Sequence, residues 1–78
     1  MMRIKLPDGS SLEVSKILDI GDILDVNNRK KMFCFTINLK DGSLLNIQNS
    51  YKDANKRRIK EITTDLHSKI KMSLVANG

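Results

Sequence analysis

Large apolar residues alternate with polar ones over residues 4–14 and again over 33–47, and in both stretches an Asp-Gly-Ser triplet interrupts the alternation. A period of two marks a strand with one buried face, and Asp-Gly between two such runs is the strongest short-range signal for a β-hairpin. The first copy reads Ile4-Lys5-Leu6-Pro7-Asp8-Gly9-Ser10-Ser11-Leu12-Glu13-Val14. The second reads Ile37-Asn38-Leu39-Lys40-Asp41-Gly42-Ser43-Leu44-Leu45-Asn46-Ile47. Two copies fit an ancestral duplication, but also convergence on a common hairpin, and convergence needs no further repeat.

The pattern also chooses the register. Leu6-Pro7-Asp8-Gly9 suits a type I turn, with Pro at its second position and Gly following in the left-handed region as a bulge. Leu6 then faces Ser10, Ile4 faces Leu12 and Met2 faces Val14, which puts the apolar set on one side. A two-residue loop would pair Ile4 with Glu13 and split that set, because a one-residue slip turns every side chain over. In the second hairpin the same register pairs Leu39 with Ser43, Ile37 with Leu45 and Phe35 with Ile47. Phe33, Phe35, Ile37, Leu39, Leu45 and Ile47 line one face, and Cys34, Thr36, Asn38, Lys40, Leu44, Asn46 and Gln48 line a mostly polar one.

Between the hairpins the alternation slips at Gly21, where a glycine inside a strand pattern predicts a bulge or bend. Asn27-Asn28-Arg29-Lys30 forms a polar turn into the Phe33 strand. After residue 48 the period changes: Ile59, Ile62, Leu66, Ile70 and Leu74 recur at helical spacing. Tyr51 and Asn55 extend that face, with Ser50 as N-cap and Asp53 in the capping-box position. The expected fold is one α+β domain over 1–78. It has an antiparallel meander of four to five strands within about 2–48 and a helix over about 51–75, packed across one sheet face.

With 78 residues, 40% apolar and 29% charged, the chain supports one small core rather than disorder. Cys34 is the only cysteine, which excludes an internal disulfide and a thiolate metal cluster. No secretory leader or run of eighteen apolar residues is visible, so the expected setting is cytoplasmic. Abundant Asn, Lys and Ile without Trp match AT-rich codon usage, as in a low-GC bacterium, a phage or another mobile element.

The formal charge of +5 favours acidic partners without naming one. Lys52, Lys56, Arg57, Arg58 and Lys60 crowd the start of the helix, where cations oppose the macrodipole, and Arg29, Lys30 and Lys31 form a second basic group. Against a binding role stands a solvated helix face in which Arg57 pairs with Glu61 and Asp65 with Lys69. Nucleic-acid readers usually add aromatic platforms, and with Phe33 and Phe35 needed in the core only Tyr51 is left for that role. His67 falls on the flank of the helical stripe and Cys34 on the polar sheet face, so a nucleophile–base pair is not expected. One acid per Asp-Gly-Ser loop is too few for a calcium cage, and Asp19, Asp22 and Asp25 alternate faces in a strand.

These readings converge on a non-enzymatic binding or accessory regulatory protein acting through protein contact, without cofactor or metal. Its candidate contact residues are Arg29, Lys30, Lys31, Lys56, Arg57, Arg58 and Lys60. The alternative is a nucleic-acid-binding module using the first part of the helix. Lys5 and Pro7 protect one sheet edge, whereas the 44–48 edge carries neither charge nor proline and is a candidate for docking or homodimerisation.

Overall fold

A computed structural model describes residues 3–77, apart from the side chain of Asn77. Six strands and one helix follow the chain in the order β1 (Arg3–Lys5), β2 (Ser11–Glu13), a 3-10 turn (Val14–Lys16), β3 (Ile17–Ile20), β4 (Leu24–Val26), β5 (Met32–Leu39), β6 (Leu44–Ser50), a second 3-10 turn (Asp53–Asn55) and α1 (Lys56–Asn77). The architecture is α+β, with antiparallel strands and a C-terminal helix packed on the sheet.

Both hairpins take the bulged register. Ile4 pairs with Leu12, Ile37 with Leu45 and Phe35 with Ile47. The Leu6 N–H donates to the Ser10 carbonyl at 2.8 Å and the Leu39 N–H to the Ser43 carbonyl at 3.0 Å. Gly9 and Gly42 hold φ of 92° and 91°, a region closed to most side chains. Asp8 and Asp41 brace the turns by accepting from the N–H and hydroxyl of Ser10 and Ser43. The expected pairing of Met2 with Val14 lies outside the described residues.

The strands divide between two sheets, not one continuous meander. β1 and β2 form a separate ribbon, and β5 is the centre of the larger sheet, with β6 along one edge and both β3 and β4 along the other. The 3-10 turn Val14–Lys16 separates the ribbon from the larger sheet, and Gly21 separates β3 from β4 within it. There the strand breaks between Ile20 and Leu24, yet the Gly21 N–H still donates to the Thr36 carbonyl at 2.8 Å, so β3 and β4 share one edge of β5 end to end. An extra residue at Leu18 adds a bulge in β3.

Ile4, Leu6, Val14, Ile17, Phe35, Ile37, Ile47 and Ile70 form the core between the larger sheet, the β1–β2 ribbon and the helix. Burying each large side chain of this kind contributes about 1.5–3 kcal/mol. The helix is turned relative to the expected stripe: Ile62 is 46% exposed, while Thr63 and Ile70 are fully buried. Its covered face runs through Ile59, Thr63, Leu66, His67, Ile70, Ser73 and Leu74. Thr63 and Ser73 are accommodated because each hydroxyl donates to the carbonyl four residues earlier, at 2.8 Å in both cases. Thr63 also accepts from Asn49 Nδ2 at 2.8 Å.

His67 is buried, not flanking. Its ring stands edge-on to Phe35 with centroids 5.1 Å apart, and Nε2 lies 2.8 Å from the Gly21 carbonyl. A carbonyl can only accept, so Nε2 carries the proton. Cys34 lies on the opposite face of the sheet, in register with Leu24 and Gln48.

Ser50 closes β6 and does not cap the helix. Lys52 precedes the 3-10 turn, and its N–H donates to Asn55 Oδ1 at 2.6 Å, so Asn55 supplies the reaching-back arm expected of Asp53. The regular helix therefore starts at Lys56 instead of near residue 51.

Candidate binding surface

β4, β5 and β6 end together at one pole of the sheet, and the polar 27–31 turn meets the start of the helical segment there. The Lys31 N–H closes the turn on the Asn28 carbonyl at 3.2 Å, and the Lys31 carbonyl accepts from the Tyr51 N–H at 2.9 Å, which extends the β5–β6 pairing by one rung. This ladder brings two distant basic stretches side by side. Arg29, Lys30 and Lys31 from one, and Lys52 from the other, line an open concavity of about 670 Å3 together with Met32, Ser50, Tyr51 and Asp53.

Tyr51 anchors this pole. It is 6% exposed and stacks on Phe33 with ring centroids 4.9 Å apart. Its hydroxyl donates to Asp25 Oδ1 at 2.8 Å, with the side-chain amide of Asn27 at 3.1 Å. Lys56 covers the ring, its Nζ 5.6 Å from the centroid and 3.2 Å from Asp25 Oδ2. The Tyr51 hydrogen bond, followed by Lys56 and Lys60, holds the Asp25 carboxyl below the usual carboxylate range. Burial, then the bond to Asp25, pushes the Tyr51 phenol up, and the same carboxylate raises Lys56. Lys31 pairs with Asp53 at 2.7 Å and lowers the Asp53 carboxyl.

The seven basic residues singled out from the sequence fall into three groups. Arg29, Lys30 and Lys31 share the concavity. Lys56 serves the Tyr51–Asp25 anchor. Arg57, Arg58 and Lys60 lie on the exposed helix face, where Arg57 meets Glu61 at 3.8 Å. The other expected helical pair, Asp65 with Lys69, is not formed among the described residues. Lys52, which the pattern placed with the helix, instead belongs with the Arg29 turn. Its position depends on the helix starting about five residues later than the periodicity suggests.

A second surface is apolar. Ile20, Leu74, Met72, Val75 and Ala76 line a shallow groove of about 640 Å3, rimmed by Asp19 and Lys71. Met72 is 73% and Val75 83% exposed.

Among the described residues no helix is long and apolar enough to cross a membrane, and no three His, Cys, Asp or Glu side chains gather in a metal-binding group. No protein-family model, curated protein or solved structure matches the chain.

Proposed function

We propose that this chain is a non-enzymatic binding protein, with an accessory or regulatory role, that engages an acidic segment of another protein at the pole built by Arg29, Lys30, Lys31 and Lys52. The observation that carries the reading is the convergence of these four cations from two separate stretches around one concavity. A solvated face needs no such convergence, since isolated surface charges do equally well spread apart. Asp53 already compensates Lys31, which leaves Arg29, Lys30 and Lys52 to meet carboxylates. Half-buried Met32 adds apolar wall to the same concavity, suiting a polypeptide that carries both acidic and apolar side chains.

A protein partner is favoured over nucleic acid by the state of the aromatic residues. Phe33, Phe35 and Tyr51 are 2%, 1% and 6% exposed, so none offers a face on which a base could stack. What supports nucleic-acid binding is then charge alone, which gives weak and salt-sensitive association.

The reading is tested by charge reversal at matched net charge. Arg29→Glu with Lys30→Glu should abolish capture of the partner, scored as the set of proteins enriched from lysate and identified by mass spectrometry. Arg57→Glu with Arg58→Glu changes the net charge by the same amount outside the concavity and should leave capture intact. Equal loss in both pairs would mean that net charge, not the pole, governs binding.

A further inference from the structure

From the outer edge of β6 we infer that the chain pairs with a second copy of itself, β6 against β6, across a two-fold axis; this goes beyond the proposed binding role and does not depend on it. In an antiparallel ladder the residues that bond to a given neighbour alternate. The Leu39 N–H donates to the Ser43 carbonyl and the Tyr51 N–H to the Lys31 carbonyl, so the bonded rungs between β5 and β6 fall on Leu45, Ile47 and Asn49. The backbone groups of Leu44, Asn46, Gln48 and Ser50 therefore point away from β5. Among the described residues no strand pairs with that edge and no backbone hydrogen bond reaches it.

The turn of the β1–β2 ribbon stands beside the edge, across a notch of about 160 Å3, without satisfying it. Pro7 has no N–H, and Leu6 spends its backbone groups on Ser10 and Gly9 within its own turn.

Sheet edges are ordinarily blunted by charge, proline, bulges or short length. β3 has the bulge at Leu18, and β1, β2 and β4 are three residues each. β6 has seven residues, an unbroken register with β5, and the sequence Leu44-Leu45-Asn46-Ile47-Gln48-Asn49-Ser50, with neither charge nor proline.

The same residues argue for a second copy rather than a foreign strand. Two antiparallel copies of one strand are related by a two-fold axis, which is how most homodimers close. Placing the axis at Ile47 sets Leu44 opposite Ser50 and Asn46 opposite Gln48 of the second copy. All the outward-pointing residues are then used, two side-chain amides meet, and no like charges face each other despite the chain's net +5. An uncharged edge has nothing with which to select an acidic or a basic partner strand. The pairing would set the two Lys52 poles at opposite ends of the joined strands, roughly 33 Å apart.

Sedimentation equilibrium of the full chain, up to about 1 mM, reads the association directly. The expected result is a reversible monomer–dimer equilibrium. Asn46→Pro, which removes an outward N–H and leaves the β5 rungs intact, should abolish it, and Asn46→Thr should not. Hydrogen exchange on the unmodified protein needs no variant. The amides of Leu44, Asn46, Gln48 and Ser50 should slow by about tenfold or more between dilute and concentrated samples, while those of Leu45, Ile47 and Asn49 stay slow throughout. A monomer at every concentration would overturn the inference. So would a dimer whose outward β6 amides exchange freely, since its interface would lie elsewhere.

Discussion

Replacing His67 by Phe isolates the bond that ties the helix to the break in the sheet. The ring keeps its place against Phe35, 5.1 Å away, and only the proton given to the Gly21 carbonyl is lost. A buried acceptor left without its donor costs about 1–3 kcal/mol. Gly21 is half-buried, so water can partly replace the lost donor, which places the expected cost at about 1–2 kcal/mol. For a domain of this size that lowers Tm by roughly 4–16 °C. His67→Ala removes the ring as well, adding a cavity and the loss of the aromatic contact, for a total of about 3–4 kcal/mol. Urea titration followed by circular dichroism should show the midpoint falling with the slope unchanged. The Gly21 amide, bonded to Thr36 across the break, should exchange faster in both variants. A His67→Phe protein within about 0.5 kcal/mol of wild type, the range of ordinary surface substitutions, would refute a stabilising role for this bond.

Ile37 is fully buried at the centre of β5, so Ile37→Ala should cost about 2–5 kcal/mol, read as loss of cooperative unfolding or a large drop in urea midpoint. Gly42→Ala meets no atom within 4 Å of the added carbon, yet the backbone sits at φ 91°. Its cost of about 1–2 kcal/mol would therefore be purely conformational, and a thermal melt no lower than wild type would show that the turn relaxes. The Asp25–Tyr51–Lys56 anchor should give Tm a plateau with two limbs. Asp25 is lowered by its Tyr51 bond, so its contribution is present above about pH 4 and lost as pH falls through the lowered value. Tyr51, raised by burial, and Lys56, raised by Asp25, contribute below about pH 10 and lose that contribution as pH climbs. Tyr51→Phe should flatten both limbs, and unchanged limbs in a pH series of melts would separate the anchor from stability.

Much of the fold was legible because strand periodicity and turn chemistry pointed the same way. Leu6-Pro7-Asp8-Gly9 and Leu39-Lys40-Asp41-Gly42 dictated both loop length and register, and a wrong register would have exposed Ile4 or Ile37. Gly21 marked the break but not its consequence, because that β3 and β4 share one edge of β5 is set by the Thr36 carbonyl in a distant strand. The helix was turned by residues whose polarity conceals their burial. Thr63 and Ser73 satisfy their hydroxyls on their own helix, and His67 finds a carbonyl 46 residues away, a partner that no periodicity reveals. Ile62, more apolar than Thr63, was consequently assigned to the wrong side.

The candidate site was legible in part. Charge picked out Arg29, Lys30 and Lys31, but not their union with Lys52, which comes from the extra Lys31–Tyr51 rung. Tyr51 read as a free aromatic because its partners, Phe33, Asp25 and Asn27, lie between 18 and 26 positions away along the chain.

The claim that the Arg29–Lys52 pole is an acidic-peptide site is tested most directly by fluorescence anisotropy at physiological salt. The labelled probes are a glutamate-rich peptide with interspersed leucines and a DNA duplex of equal charge. The peptide should bind more tightly than the duplex, and Arg29→Glu with Lys30→Glu should weaken the peptide by about tenfold or more while Arg57→Glu with Arg58→Glu changes it little. Binding of the duplex as tight as the peptide, or equal weakening by the two charge reversals, would contradict that claim.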